Sequence, residues 1–165
     1  MKTERNPGEA AAAIADAAEL AKLRGDRVLR RWLAGASLTI PVLAILLTWF
    51  AWRGGLPEQV AFHWNASGRP DGTFPAEPLF WMTLAITTIC QLLGIVVLLM
   101  PSSHPGDSRK AIALLGTVSA FVAAAWLVPA GVTYNTGSEL GGWLLLFVAA
   151  LVYGLLPRSL TPGDD

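Results

Sequence analysis

The chain has 165 residues, of which 53% are hydrophobic and 15% charged, and its mean hydropathy is +0.49. Soluble domains carry about 25% charged residues, so this composition is typical of a membrane protein. Twelve basic residues balance twelve acidic ones, and a net charge of zero gives no electrostatic support for a nucleic-acid partner. The single cysteine, Cys90, leaves no partner for an intramolecular disulfide and no set of thiolates for a zinc site.

Residues 1–31 form a polar, alanine-rich segment ahead of the first apolar run. From residue 9 to residue 32 strong helix formers predominate, with acidic side chains early and arginines late, an order that suits the helix dipole. The larger apolar residues of this segment do not form one clean stripe. We therefore predict a cytoplasmic helix that lies on or near the membrane surface, with a disordered tail over residues 1–12 as the alternative.

Four apolar runs without a charged side chain follow, at residues 33–52, 79–100, 111–132 and 140–156. At 1.5 Å per residue these runs reach about 26–33 Å, against a hydrocarbon core of about 30 Å, so each is long enough to span a bilayer as a helix. The predicted fold is an all-α, integral membrane four-helix bundle over residues 32–157, with a loop at 53–78 and a tail at 158–165. The first run lacks a small-x-small cleavage site, so we expect it to be retained.

The distribution of lysine and arginine predicts the orientation of the bundle. Seven of these residues flank helix ends on the side of the N-terminus, whereas two lie on the other side. Because basic residues accumulate on the cytoplasmic side, we predict a multi-pass protein of the cell membrane with both termini cytoplasmic and an extracytoplasmic 53–78 loop. Aromatic residues near the outer helix ends agree with this orientation: Trp49, Trp52, Trp81, Tyr134 and Trp143.

Small and polar residues mark faces of the helices that we expect to contact other helices. Thr83, Thr87, Gln91 and Gly94 share one face of the second span, where Gln91 needs a hydrogen-bond partner; a polar ligand path is the alternative. A small-residue stripe follows the third span, and the fourth repeats it weakly: Ala113, Gly116, Ala120 and Ala124, then Ala150 and Gly154. These residues fit either packing within the bundle or a homo-oligomer or membrane partner. Pro41 is predicted to kink the first helix.

The loop at residues 56–78 is polar and rich in turn residues. Residues 60–65 alternate with period two, which predicts a short strand with Val60, Phe62 and Trp64 on one face and His63 with Asn65 on the other. A turn follows over residues 66–72, in which Gly68 can adopt positive φ, Pro70 fixes its own φ, and Asp71-Gly72 closes the turn. We therefore predict a hairpin-like cap on the outer ends of the first two helices.

Three interpretations of the polar loop residues remain open. In the first, His63 and Asn65 bind backbone groups and Asp71 caps its own turn, so that all three only stabilise the loop. In the second, the polar face and Trp64 recognise an extracytoplasmic peptide, small ligand or lipid headgroup. In the third, His63 binds a metal with Glu58 or Asp71, which is the weakest because one histidine with scattered carboxylates makes a poor ligand set. Acid sensing by histidine also stays open.

The run Leu56-Pro57-Glu58, continued by His63-Trp64-Asn65-Ala66-Ser67-Gly68-Arg69-Pro70-Asp71-Gly72, resembles the signature loop of a bacterial membrane family known as domain of unknown function 1648. That domain also forms the N-terminal part of SdpI-type immunity and signalling proteins. The resemblance covers the first span, the loop and the second span, and it implies membership of the wider family.

No residues form a nucleophile with its base, a phosphate-binding glycine loop or a paired-carboxylate site, so we predict no enzyme, no cofactor and no metal. The expected function is a membrane protein that binds or senses an extracytoplasmic ligand or peptide through residues 56–78. The alternative is an accessory subunit of a transporter or toxin-immunity system that acts through helix–helix contacts.

Overall fold

The computed structural model describes residues 7–100, 105–135 and 140–162. A long helix, α1, is followed by a two-stranded hairpin, two more long helices and an interrupted fourth helical segment. The elements are α1 Pro7–Trp52, β1 Gln59–Trp64, β2 Pro70–Pro75, α2 Ala76–Leu99, α3 Pro105–Asn135, a 3₁₀ turn Gly141–Leu144, α4 Leu145–Tyr153 and α5 Leu155–Leu160. Within these described ranges, four stretches are long and apolar enough to cross a membrane: Ile14–Trp52, Ala76–Leu99, Gly106–Asn135 and Gly141–Leu160. The predicted all-α, multi-pass four-helix bundle is confirmed.

The polar N-terminal segment and the first span form one continuous helix, α1, of 46 residues. We predicted a separate helix before the span, but the residues between the two are helix formers, and no turn interrupts them. The alternative of a disordered tail is wrong for residues 7–12, which are helical, while residues 1–6 lie outside the described part. The helix continues through Pro41, whose side chain is buried in the bundle.

The fourth span differs from the uninterrupted helix predicted at 140–156. It begins with a 3₁₀ turn, breaks between α4 and α5 at Gly154, and continues to Leu160. Two features explain the break: Pro157 has no N–H to donate to the preceding turn, and Gly154 packs directly on α3. A Cβ at Gly154 would collide with the carbonyl oxygen of Ala113 and the hydroxyl of Thr117. The C-terminal tail therefore starts a few residues later than predicted.

The buried core has two parts, one at the hairpin end of the bundle and one at the opposite end. The hairpin-end core comprises Ile45, Val60, Ala76, Leu79, Phe80, Ala123, Trp126 and Ala130. The opposite core comprises Ala34, Leu38, Leu98 and Ile112. In the hairpin-end core Trp49 stacks on Phe80 with ring centroids 4.3 Å apart, and Trp126 meets both rings edge-on. Trp49 therefore packs inside the bundle as well as lying near its end, whereas Trp81 is 57% exposed, as expected of an interfacial aromatic residue.

The small residues singled out in the sequence lie where helices of this chain approach one another. A Cβ at Gly116 would lie 2.9 Å from Cγ of Pro157 and 3.4 Å from Cα of Gly154, so α3 and the fourth segment are in close contact. A Cβ at Gly94 would lie 3.0 Å from Leu38 on α1. Ala120, on the same stripe as Gly116, is half-buried. Both glycines therefore have a packing role within the bundle.

The polar side chains on this face of α2 are only partly hydrogen-bonded. Thr83 and Thr87 are buried, and the Thr83 hydroxyl donates to the carbonyl oxygen of Leu79 in its own helix. The side chain of Gln91 is half-buried and makes no hydrogen bond to another described residue. Thr83, Thr87 and Gly94 are thus buried, but the Thr87 hydroxyl has no hydrogen-bond partner among the described residues, and Gln91 also lacks the partner that we expected.

Candidate functional site

The hairpin between α1 and α2 is antiparallel and contains two compensating bulges. Ala61 pairs with Thr73 and His63 with Gly72, so Phe62 is an extra residue on β1; Trp64 then pairs with Pro70, so Asp71 is an extra residue on β2. The second bulge restores the register that the first one shifts.

The first bulge overturns the predicted alternation of side chains. Val60 and Ala61 are both buried, whereas Phe62 is 43% exposed and lies against Phe74 with ring centroids 5.5 Å apart. Of the apolar face predicted for β1, Val60 is therefore buried and Trp64 half-buried, while Phe62 is exposed.

The bulges bring His63 and Asp71 together. Nδ1 of His63 lies 2.5 Å from Oδ1 of Asp71, and both side chains remain accessible to solvent. Gly72 opposite His63 permits this arrangement, because a Cβ at Gly72 would lie 2.9 Å from Cβ of His63. In the first of the three interpretations His63 binds a backbone group and Asp71 caps its own turn; instead each side chain is the partner of the other. A polar contact this exposed contributes little to stability.

Asn65 organises the tip of the hairpin. Its Oδ1 accepts hydrogen bonds from the backbone N–H of Ser67 at 3.0 Å, from that of Arg69 at 3.1 Å, and from the Ser67 hydroxyl at 2.6 Å. Gly68 has φ +76°, the left-handed conformation that was predicted for it. Pro70 begins β2, where its missing N–H costs nothing at the end of the ladder. The structural role predicted for Asn65 and Gly68 agrees with these contacts.

The hairpin is fixed to the bundle by contacts that the local sequence does not reveal. The backbone N–H of Ala61 donates to Oγ1 of Thr133 on α3 at 2.9 Å. The N–H of Ala76, the first residue of α2, donates to the carbonyl oxygen of Glu58 at 2.9 Å. Trp64 is half-buried, and its indole N–H is buried without a hydrogen-bond partner among the described residues. Thr133 follows the third apolar run, and nothing in its sequence surroundings distinguishes it.

A cleft of about 370 Å³ lies at the base of the hairpin, between the C-terminal end of α1 and the N-terminal end of α2. Three charged residues line this cleft: Arg53, Glu58 and Glu77. Oε1 of Glu77 also accepts a hydrogen bond from the indole of Trp81 at 3.4 Å, and the Arg53 guanidinium lies 5.3 Å from the Phe50 ring centre. The remaining walls are mainly apolar or proline. We call this feature the hairpin-base cleft.

The structure thus separates the predicted site into two parts. The predicted residues of the hairpin beyond its base are held within the hairpin itself and do not line the cleft: His63, Trp64, Asn65, Gly68, Pro70, Asp71 and Gly72. The cleft is lined instead by residues that flank them. Apart from Trp49 and Arg53 these lie within residues 56–78, the segment predicted to bind a ligand, but among them we had singled out only Glu58, as a metal ligand. Among the described residues no three His, Cys, Asp or Glu side chains are grouped so as to hold a metal ion.

Residues 40–88 match the family model described as a domain of unknown function, DUF1648. The chain contains a DUF1648 domain. The DUF1648 region covers the second part of α1, the whole hairpin and the first half of α2, and it includes every residue that lines the hairpin-base cleft. Comparisons with curated proteins and with solved structures give no match. The hairpin and the cleft are therefore features of the DUF1648 region, while α3 to α5 lie outside it.

Proposed function

We propose that this protein is a non-enzymatic membrane protein that binds a small zwitterionic ligand or the end of a peptide at the extracytoplasmic end of its bundle. The observation that carries the proposal is the hairpin-base cleft. Its volume of about 370 Å³ falls within the range of roughly 300–1,000 Å³ typical of small-ligand sites. Such a volume suits an amino acid or one to two residues of a peptide.

The charges around the cleft favour a ligand that carries both signs. The planar guanidinium of Arg53 suits a carboxylate, which it can bind through two parallel hydrogen bonds. Glu58 and Glu77 are suited to an ammonium group. A ligand with a free amine and a free carboxylate would pair with both signs, whereas a singly charged compound would leave one sign unpaired and an uncharged compound would leave both.

The framework around the cleft supports binding with little rearrangement. Glu58 precedes β1 and its carbonyl oxygen accepts the first N–H of α2, so one wall of the cleft is fixed to another. Trp49 on a third wall stacks within the hairpin-end core. A site held by such contacts loses less conformational entropy when a ligand binds.

The alternative function, an accessory subunit acting through helix contacts, has less support. It depends on the small residues of α3, and Gly116 contacts Gly154 and Pro157 of the same chain. A role in toxin immunity, which the family resemblance suggests, is compatible with ligand binding at the cleft.

The proposal can be tested with the dipeptide Ala-Ala and two blocked forms, N-acetyl-Ala-Ala and Ala-Ala amide. We expect Ala-Ala, at about ten times its Kd, to raise the Tm of the purified protein by about 3 °C, and the blocked forms to have little effect. Arg53→Gln should reduce the preference for the free carboxylate, and Glu58→Gln the preference for the free amine. Arg69→Gln, at the exposed tip of the hairpin, is the matched control. Equal shifts with all three peptides would overturn the proposal.

A further inference from the structure

A second cavity lies at the end of the bundle away from the hairpin, between α1 and the C-terminal end of α2. Its volume is about 610 Å³, larger than the hairpin-base cleft. Apolar residues of both helices make up most of its lining, with Arg31 and Trp32 among the α1 residues. We call it the α1–α2 groove.

The length of this groove is comparable to one leaflet of a bilayer. On α1 it extends from Val28 to Thr39, and the part beyond Arg31 covers eight residue steps, or about 12 Å along the helix. Half of a hydrocarbon core of about 30 Å is about 15 Å. Gly35 lies midway along the groove, and its missing side chain leaves the groove open there; the nearest atom to a Cβ placed at Gly35 would be Cδ2 of Leu98, at 3.7 Å. The groove therefore has the length and the apolar lining that suit an acyl chain.

The charge at one end of the groove favours an anionic headgroup. Residues 24–31 of α1 contain four arginines, Arg24, Arg27, Arg30 and Arg31, and one acidic residue, Asp26. Arg31 is the arginine that lines the groove, and the next residue, Trp32, is 75% exposed. Tryptophan favours the level of the lipid headgroups, and arginine binds phosphate through two parallel hydrogen bonds.

We propose that the α1–α2 groove binds one acyl chain of an anionic glycerophospholipid, whose phosphate is held by Arg31. Arg30, the residue next to Arg31, adds attraction for the negatively charged headgroup, as juxtamembrane basic residues do. This lipid site is independent of the ligand proposed for the hairpin-base cleft, which lies at the other end of the bundle.

Native mass spectrometry of the purified protein in a neutral detergent tests this proposal, with dioleoyl phosphatidylglycerol and dioleoyl phosphatidylcholine as the probes. We expect the first phosphatidylglycerol to bind with an apparent Kd about fivefold lower than that of phosphatidylcholine. Arg31→Gln should remove this preference. Arg24→Gln, seven residues away and outside the groove lining, should retain it.

Filling the groove tests the acyl-chain part of the proposal. Gly35→Leu should weaken binding of both lipids, whereas Gly25→Leu should not, because Gly25 lies on the exposed part of α1 with no atom within 4 Å of a Cβ placed there. Should Gly35→Leu fail to fold, Ala36→Leu at an exposed lining position makes the same test. Equal affinity for the two lipids, equal effects of Arg31→Gln and Arg24→Gln, or unchanged binding in the filled variants would each overturn the proposal.

Discussion

Gly72 shows how a single residue determines the geometry of the hairpin. It lies opposite His63 between the two bulges, at the point where the backbone of β2 passes under the His63 side chain. Glycine is needed here for space, because its φ is not in the left-handed region. The close approach lets His63 reach Asp71. The contact between these two residues, which one interpretation placed on a binding face, therefore depends on Gly72.

We expect Gly72→Ala to destabilise the protein by about 1–3 kcal/mol, since the new methyl group would lie 2.9 Å from Cβ of His63 and the strands must move apart. Thermal unfolding in detergent measures the loss. Gly54→Ala, in open space just after α1, is the control and should leave Tm nearly unchanged. If both variants unfold at the wild-type temperature, the hairpin tolerates a wider separation than the structure shows.

The residues of the hairpin also show which features the sequence predicts. The turn roles of Gly68 and Asn65 are local and follow from residue type, so they were predicted. The burial of Ala61 and the exposure of Phe62 were not, because alternation along one strand contains no information about an extra residue relative to its partner. The cleft was missed for a similar reason: Arg53 and Glu77 are 24 positions apart and meet only once the helices pack.

At the scale of elements, the hairpin is attached to α3 as well as to the helices that precede and follow it. Val60 is fully buried in the hairpin-end core, and Ala61 donates its N–H to Thr133. One backbone N–H on the outward edge of β1 is therefore hydrogen-bonded to a helix side chain. This contact protects a strand edge that would otherwise be open. From the sequence we predicted a cap on the first two helices only.

Thr133→Val is expected to destabilise the hairpin by about 1–3 kcal/mol, because the buried N–H of Ala61 would lose its acceptor. Hydrogen–deuterium exchange should show faster exchange of the Ala61 amide, with the core of α2 unaffected. Thr133→Ser keeps the hydroxyl and should retain slow exchange. Equally slow exchange in all three proteins would show that the bond to Thr133 contributes nothing.

The contact between α3 and the fourth segment gives a prediction of its own. Gly116→Leu should lower stability by about 1–3 kcal/mol or more, because the side chain would overlap the rigid ring of Pro157. Gly106→Leu, near the start of the same helix in open space, is the control. Thermal unfolding and light scattering should be measured together. A variant that keeps its Tm but loses a larger oligomer would instead assign Gly116 to a contact between chains.

For the molecule as a whole, apolar run length was the most informative sequence signal. It predicted four spans, since a hydrocarbon layer of fixed thickness requires helices of matching length. Run length did not predict that the polar segment and the first span form one helix, α1. It also did not predict the break in the fourth span at Gly154. The first depends on the absence of a turn between the two segments, and the second on the close approach of Gly154 to α3, which is a tertiary contact.

The sidedness of the bundle is the whole-molecule property on which the proposed function depends, and the arginine distribution predicts it. In a Cys90→Ala background, Ala66→Cys would place a thiol at the exposed hairpin tip, and Asp107→Cys would place one at the opposite end on an exposed side chain. We expect a membrane-impermeant maleimide to label Ala66→Cys in intact cells and Asp107→Cys only after lysis. The reverse pattern would place the hairpin-base cleft in the cytoplasm, and with it any ligand that the cleft binds.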